Sequence, residues 1–513
     1  MTAQRRQKFL SLIFLTASVW LLAEIREVHF IHTTDIHAHF EPGAEGDGGW
    51  LAAAIVIKNL QARCGDDCSL LIDTGDNTQG TIAATLTRGL AGMSPLYALH
   101  YDAWIPGNHE FDYGIPQFVR FMNDSKGIAL CANLTVKDTP PFRAWRMFRR
   151  NGVNIAVIGL TSSYMKNWQL PEDAKLLEIT SASKLLKKLL PEILAATPDA
   201  IVLAAHQGWF AAEDKRGANE INTIAEHFPE IDLILGAHTH RTIPGTRIGH
   251  RTWYVQPGCH ATHVALATLS VDTDAHKVVN ASSILLPVEK ETPQDSELRK
   301  TIDPFLRMEA AERHRPIKGG LATGALARGT AGVSSATSEL ICMAIAEEVG
   351  ADIVFHGRMT NKDIPPGPLT ADILYKLIPY DNTIVTLELT LEQIASLATE
   401  QWKWRKHYSY NGIYGARIAI DKDGKATVIG IGKDQPLPQD ATTRRYKVAV
   451  HNHAAAGSGR FITLRTLVAA PESHAVNHPI TTRSAIEHFL EKHSGTDVTP
   501  FKWITEDNGA PKP

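Results

Sequence analysis

Apolar and polar positions alternate along the first half of the chain in a repeated form: a short apolar run, then a cluster of polar residues at its carboxyl end. Val28 to Thr34 runs into Asp35-Ile36-His37, and Leu70-Leu71-Ile72 runs into Asp73-Thr74-Gly75-Asp76. The run ending at Ile105 breaks at Pro106-Gly107 and delivers Asn108-His109-Glu110-Phe111-Asp112. Ala200 to Ala205 leads to His206, and Leu233-Ile234-Leu235 leads to Gly236-Ala237-His238-Thr239-His240. Between these runs, helical spacing covers Leu51 to Leu60, Ile115 to Met122, Ser181 to Leu194 and Glu220 to His227. Further strands are expected at Ile128 to Cys131, Asn154 to Leu160, Trp253 to Val255 and Val264 to Val271. The alternation predicts a layered α/β domain whose polar clusters meet at one rim, the carboxyl ends of the strands.

From Pro287 to Pro316 the pattern becomes charged, with Leu298, Ile302, Phe305, Leu306 and Met308 at helical spacing, which predicts a linker helix between prolines. A second α/β pattern begins at Ile317 with a Gly/Ala-rich strand region. It continues through a helix from Ser338 to Val349, a strand from Ala351 to Phe355, a loop from His356 to Pro368 and a short helix near Tyr375. A strand from Thr383 to Leu389, a helix from Leu391 to Thr399, and strands near Arg417 to Ile420 and Tyr446 to Val450 complete it. The expected division is 1–26 as an export signal or anchor, 27–290 as the first domain, 291–316 as the linker helix and 317–513 as the second domain. The tail from Asn508 to Pro513 is expected to fray.

At the amino terminus, Arg5, Arg6 and Lys8 precede an apolar stretch from Phe9 to Ala23, the layout of a secretory signal. The expected location is periplasmic or secreted. The alternative is a membrane tether through an uncleaved segment, the only membrane association expected. With 513 residues, 44% hydrophobic and 21% charged content and a net charge of −3, the chain has no charge argument for nucleic acid or an anionic membrane. Five cysteines are too few to build the fold by disulfides. Cys64 and Cys68 flank a short loop in which a bridge is expected, and Cys131, Cys259 and Cys342 read as buried thiols.

The polar clusters have the composition of a metal centre. Divalent cations take carboxylate oxygen and imidazole nitrogen, and two cations close together need a carboxylate between them to mute their repulsion, a place that suits Asp76. Asp35 and His37 lie one residue apart on a strand end, as do His238 and His240, so each pair can face one pocket. With His206 and the side-chain oxygen of Asn108, seven ligands are available. His32 reads as a core histidine, His39 as a loop histidine beside the ligands, Glu110 as a loop brace and Asp73 as a turn former.

In this order, Asp35-Ile36-His37, Gly75-Asp76, Gly107-Asn108-His109-Glu110, His206 and Gly236-Ala237-His238-Thr239-His240 resemble the motifs of the calcineurin-like metallophosphoesterases. Phe111-Asp112 and the second domain resemble the 5'-nucleotidase branch, with its UDP-sugar hydrolases. The resemblance implies a four-layer α/β/β/α first domain and a smaller α/β substrate-binding domain. It implies that Asp35, His37, Asp76 and His240 hold one divalent ion (Zn, Mn, Co or Fe), and that Asp76, Asn108, His206 and His238 hold a second. It further implies a catalytic dyad of His109 and Asp112, and in-line attack on phosphorus by a metal-activated water.

In the second domain the resemblance points to Arg358 for the substrate and to Tyr410 and Phe461 as rings that sandwich a base. The family's Asn-Gly-Gly-x-Arg is not intact here, since Arg358 sits early and Asn361 falls near the family's arginine. The function implied is an exported two-metal phosphohydrolase acting on nucleoside 5'-monophosphates and on UDP-sugars. The alternatives are a 2',3'-cyclic nucleotide phosphodiesterase or thiosulfohydrolase-like relative with the same centre, or a catalytically silent nucleotide-binding protein.

Overall fold

The computed structural model describes residues 24–506 except 44–46, 126, 212–216, 321–325, 408–409 and 459–460. Residues 1–23 of the expected signal or anchor and the tail therefore lie outside the described residues, as does most of the Gly/Ala-rich region after Ile317. Among the described residues no helix is long and apolar enough to cross a membrane.

Two sheets form the centre of the first domain. The first runs, in spatial order, Lys277–Pro287, His263–Asp272, Ile25–Thr33, Ser69–Asp73 and Ala103–Trp104. The second runs Thr242–Ile248, Thr252–Pro257, Leu233–Leu235, Ala200–Ala205, Val153–Leu160 and Trp145–Arg150. Their inner strands, such as Ser69–Asp73, Val153–Leu160 and Ala200–Ala205, are apolar on both faces because both faces are covered. Val28, Phe30, Leu70 and Ile72 meet Ile155, Val157, Val202 and Leu235 between the sheets. Ile31 and Leu71 point the other way, under the helix Trp50–Cys64, while Ala156, Ile158 and Leu160 pack beneath Ala182–Ala195 and Ile221–His227. The result is four layers, α/β/β/α.

Two differences from the sequence reading have local causes. Ile128 to Cys131 does not form a strand of its own; it reduces to a single bridge between Ala129 and Trp104 at the sheet edge. The strand Trp145–Arg150 escapes a hydrophobicity reading because three of its six residues are arginine. It is fixed instead by the turn Asn151-Gly152, where φ values of 49° and 76° suit a tight hairpin into Val153–Leu160.

The linker helix spans Ser296–Arg313. Asp295 caps it, accepting from Leu298 N at 2.7 Å while pairing with Lys58 at 2.6 Å. Leu298 and Ile302 enter the first domain's core, and Glu309 accepts from Ala83 N at 3.2 Å. At its far end Arg313 pairs with Asp372 at 2.6 Å and Arg315 with Glu487 at 2.8 Å, both in the second domain. The helix is a strut tied at both ends.

A four-stranded sheet, Ile353–Phe355, Tyr446–His451, Thr383–Leu389 and Val476–Thr481, organises the second domain. Ala336–Val349 and Thr482–Lys492 cover one face; Leu391–Trp402 and Ile462–Ala469 cover the other.

Candidate metal and catalytic centre

The strand ends converge through backbone bonds between their loops. Asp35 N donates to Gly75 O at 2.8 Å and His37 N donates to Asp76 O at 2.9 Å, which locks the first two clusters together. Glu110 then organises the third. Its buried carboxylate accepts from Gly107 N at 2.6 Å, Asp76 N at 2.9 Å and Asn77 N at 2.8 Å, so one side chain gathers the amides of two loops. Asp73 forms the turn expected of it, accepting from Gly75 N and Asn77 Nδ2 through one oxygen. His32 is buried and bonded to Thr74, and His39 stacks on His260 with ring centroids 4.0 Å apart.

Gly107 is glycine for lack of space. A Cβ there would lie 2.2 Å from Asp76 Oδ1 and 2.6 Å from His206 Cε1. Asp35, His37, Asp76, His238 and His240 all have positive φ, between 51° and 72°. Non-glycine residues rarely adopt this backbone, and its cost of about 1–3 kcal/mol each is tolerated where packing over-determines the loop.

Two groups of potential ligand atoms result. Atoms of Asp35, His37, Asp76 and His240 lie within 4.8 Å of one another, and so do atoms of Asp76, His206 and His238. Asp76 belongs to both. Asn108 Oδ1 lies 3.3 Å from His206 Nε2, placing the seventh predicted ligand beside the second group.

The donor set fits divalent cations. His206 Nδ1 lies 2.6 Å from Thr74 O, and a carbonyl can only accept, so the ring aims Nε2 at Asp76 and Asn108. His37 Nδ1 is likewise held by Gln79 O at 3.1 Å, and its Nε2 faces His240 Nε2 at 3.0 Å. His238 Nδ1 is buried without a hydrogen-bond partner. Burial favours the neutral forms of Asp76 and His206. Even so, Asp76 pulls the imidazole up to about 9, and His206, with His109 and His37, holds the Asp76 carboxyl well below the usual range. The pair concentrates affinity for positive charge at one place. Burial pushes Asp35 up to about 7, with the Asp76 charge adding to the effect.

At the rim, His109 Nδ1 bonds to Asp112 Oδ2 at 2.7 Å, three residues on across a 3₁₀ turn. Burial alone would lower the His109 pKa, but in the ion-free chain Asp112 and Asp76 push it up to about 10. His109 N also donates to Asp76 Oδ1 at 2.8 Å, tying the dyad to the shared carboxylate.

The predicted substrate residues of the second domain behave differently. Tyr410 is 5% and Phe461 0% exposed; Phe461 packs edge-on against Phe355 at 6.0 Å and Tyr410 against Trp402 at 6.3 Å. Neither presents a ring face to a ligand, so the expected base sandwich is corrected. A glycine-rich flank does not leave Phe461 exposed, because it packs with Leu464 and Val468 of the following helix Ile462–Ala469 in the core. Arg358 lies on a partly exposed loop, donating to Thr360 O and Asn361 Oδ1 at 3.1 Å. Two residues the sequence reading missed lie nearer the dyad: Tyr380 stacks on His109 at 6.4 Å, and His453 feels the charges of Asp112 and His109. No motif marks either, since both arrive through the docking of the two domains. Cys64 and Cys68 are free thiols, which corrects the expected bridge; the 3₁₀ turn Asp66–Cys68 spaces them.

Comparisons with known proteins bear on both halves. Residues 28–242 match the calcineurin-like phosphoesterase family, and residues 318–466 match the 5'-nucleotidase C-terminal domain. The chain is 24% identical to protein UshA of Yersinia enterocolitica, over 95% of this chain and 94% of that one. It is 24% identical to a 5'-nucleotidase of Vibrio vulnificus, over 94% of this chain and 93% of that one. The crystal structure of a 5'-nucleotidase precursor from Thermus thermophilus superposes with a TM-score of 0.70 at 22% identity, covering 94% of this chain and all of that one.

Proposed function

Since the chain belongs to the 5'-nucleotidase branch of the calcineurin-like metallophosphoesterases and is a metal-dependent hydrolase, we propose that it releases phosphate from nucleoside 5'-monophosphates. The observation that carries this reading is the sharing of Asp76 between two ligand groups beside the His109–Asp112 pair. Asp35, His37, Asp76 and His240 would hold one divalent cation, and Asp76, Asn108, His206 and His238 a second. Bound there, such ions supply Lewis-acid activation of water and neutralise charge on phosphoryl oxygens.

The chain's own groups do the rest. Glu110 fixes the Gly107 and Asp76 loops, so the ligands meet a phosphoryl group without rearrangement. Asp112 holds the His109 ring by Nδ1 and favours its charged form. The other nitrogen is thereby free to stabilise the transferring group or protonate the leaving oxygen. By the family resemblance, Arg358 would be the second-domain cation that meets the substrate. The pattern Arg5, Arg6, Lys8 and Phe9 to Ala23 supports export, which cell fractionation checks.

The test is hydrolysis of AMP, UDP-glucose and a 2',3'-cyclic nucleotide, with Mn²⁺ or Co²⁺ added and the products of each separated by chromatography, alongside elemental analysis. Phosphate release from AMP with about two equivalents of metal is the expected result. Turnover of the cyclic nucleotide alone, or less than one equivalent of metal, would overturn the proposal.

A further inference from the structure

The short stretch from Tyr164 to Leu170 is anchored in the first domain, where Met165 is buried and Trp168 packs against the core, and is held by the second domain as well. It follows the strand Val153–Leu160 and contains the one-turn helix Met165–Trp168. Arg465, on the second-domain helix Ile462–Ala469, donates to the carbonyls of Asn167 and Lys166 and, within its own domain, to Ala456 O at 2.8 Å. Leu170, two residues beyond Trp168, is buried among second-domain residues, in the cluster that contains Ile353, Phe355 and Phe461. Between these two anchors, the indole of Trp168 lies against the His238 ring with centroids 5.2 Å apart and a tilt of 38°, and Tyr164 backs it edge-on at 5.4 Å.

His238 depends on such support. Its Nδ1 is buried without a partner, and among the described residues neither ring nitrogen has a hydrogen bond, so nothing orients the ring as Thr74 orients His206. Its backbone sits at φ 72°, while its N–H is committed to Asp35 at 3.0 Å. The ring is held by packing: Trp168 on one side and His206, edge-on at 5.3 Å, on another.

We infer that Tyr164 to Leu170 is an interdomain latch, with Arg465 and Leu170 fixing Trp168 so that it holds His238 in position for the second cation. Trp168 and Arg465 are positioning residues, and the docking of the second domain sets the quality of a metal site built wholly from the first. The inference rests on the two-cation reading above. Outer partners of metal-ligating histidines are worth about 10–100-fold in affinity, and a packing contact belongs at the lower end of that range.

The experiment is titration of the metal-stripped full chain with Mn²⁺, read by calorimetry, beside AMP hydrolysis. Trp168→Ala and Arg465→Ala should each weaken one of two Mn²⁺ sites by about tenfold, while Trp168→Phe keeps near-parental affinity and Arg465→Lys falls between. Lys166→Ala, which leaves the carbonyl in place, should match the parent. Unchanged Mn²⁺ affinity in Arg465→Ala and Arg465→Lys would overturn the latch. So would a Trp168→Ala enzyme altered only in KM, which would make the indole a substrate contact. If the parent chain itself binds no Mn²⁺, the fault lies with the two-cation reading.

Discussion

His37 and His240 bring their Nε2 atoms to 3.0 Å of each other, although they come from loops more than 200 residues apart. With the His37 Nδ1 proton given to Gln79 O, a lone pair is aimed at a second imidazole. A cation shared between the rings turns that opposition into attraction. Chelation should therefore abolish activity, and Mn²⁺ should restore it. Asp76→Asn should resist restoration, with activity down at least about a hundredfold, because one substitution removes a donor from both groups. Metal content by elemental analysis checks it.

In the ion-free site Asp112 and Asp76 outweigh the effect of burial and favour the charged form of His109. Removing the aspartate charge lowers the pH at which the ring loses its proton. In Asp112→Asn the alkaline fall in kcat/KM should move towards neutrality, whereas His109→Ala should lose about 10²–10⁴-fold in kcat at all pH values. A pH–rate profile of both variants decides this; an alkaline limb unmoved in Asp112→Asn would remove His109 from that role.

Gly107→Ala places a methyl group 2.2 Å from Asp76 Oδ1. The loop must shift, and two ligands with it. The expected variant unfolds at nearly the parental temperature but binds Mn²⁺ at least about tenfold more weakly, as calorimetry and a thermal melt together would show.

Asp295 caps the linker helix. Burial opposes its ionisation, but the bond from Leu298 N and the pairing with Lys58 hold its pKa below the ordinary 3.8. A depressed carboxylate contributes stability above its unfolded pKa and loses it as the pH falls through the folded one. Asp295→Ala should cost about 1 kcal/mol at pH 7, mostly through the cap, because Lys58 is solvent-exposed. The deficit should narrow below pH 3.8; urea unfolding at neutral pH and in acid measures both.

The first-domain cage is legible in the sequence because each ligand sits only a few residues beyond an apolar strand, and parallel strands carry their carboxyl ends to a common edge. His109 and Asp112 are equally local, joined by one 3₁₀ turn. The second domain's contribution is not local. Whether Tyr410 and Phe461 face solvent depends on Trp402 and Phe355, which no spacing reveals. Tyr380 acquires its place on His109 only when two separately patterned domains meet. The edge strand Trp145–Arg150 hides behind its arginines, and only its Asn-Gly turn gives it away.

The left-handed backbone at Asp35, His37, Asp76, His238 and His240 has a bearing on the chain without its ions. Five residues wound against their preference act as a compressed spring, held shut by neighbouring amides and by whatever their side chains grip. When that grip is withdrawn, the spring acts on the rim loops first and leaves the sheets beneath them intact. Limited proteolysis of the stripped enzyme should then nick those loops well before the rest of the molecule, and added Mn²⁺ should shield them.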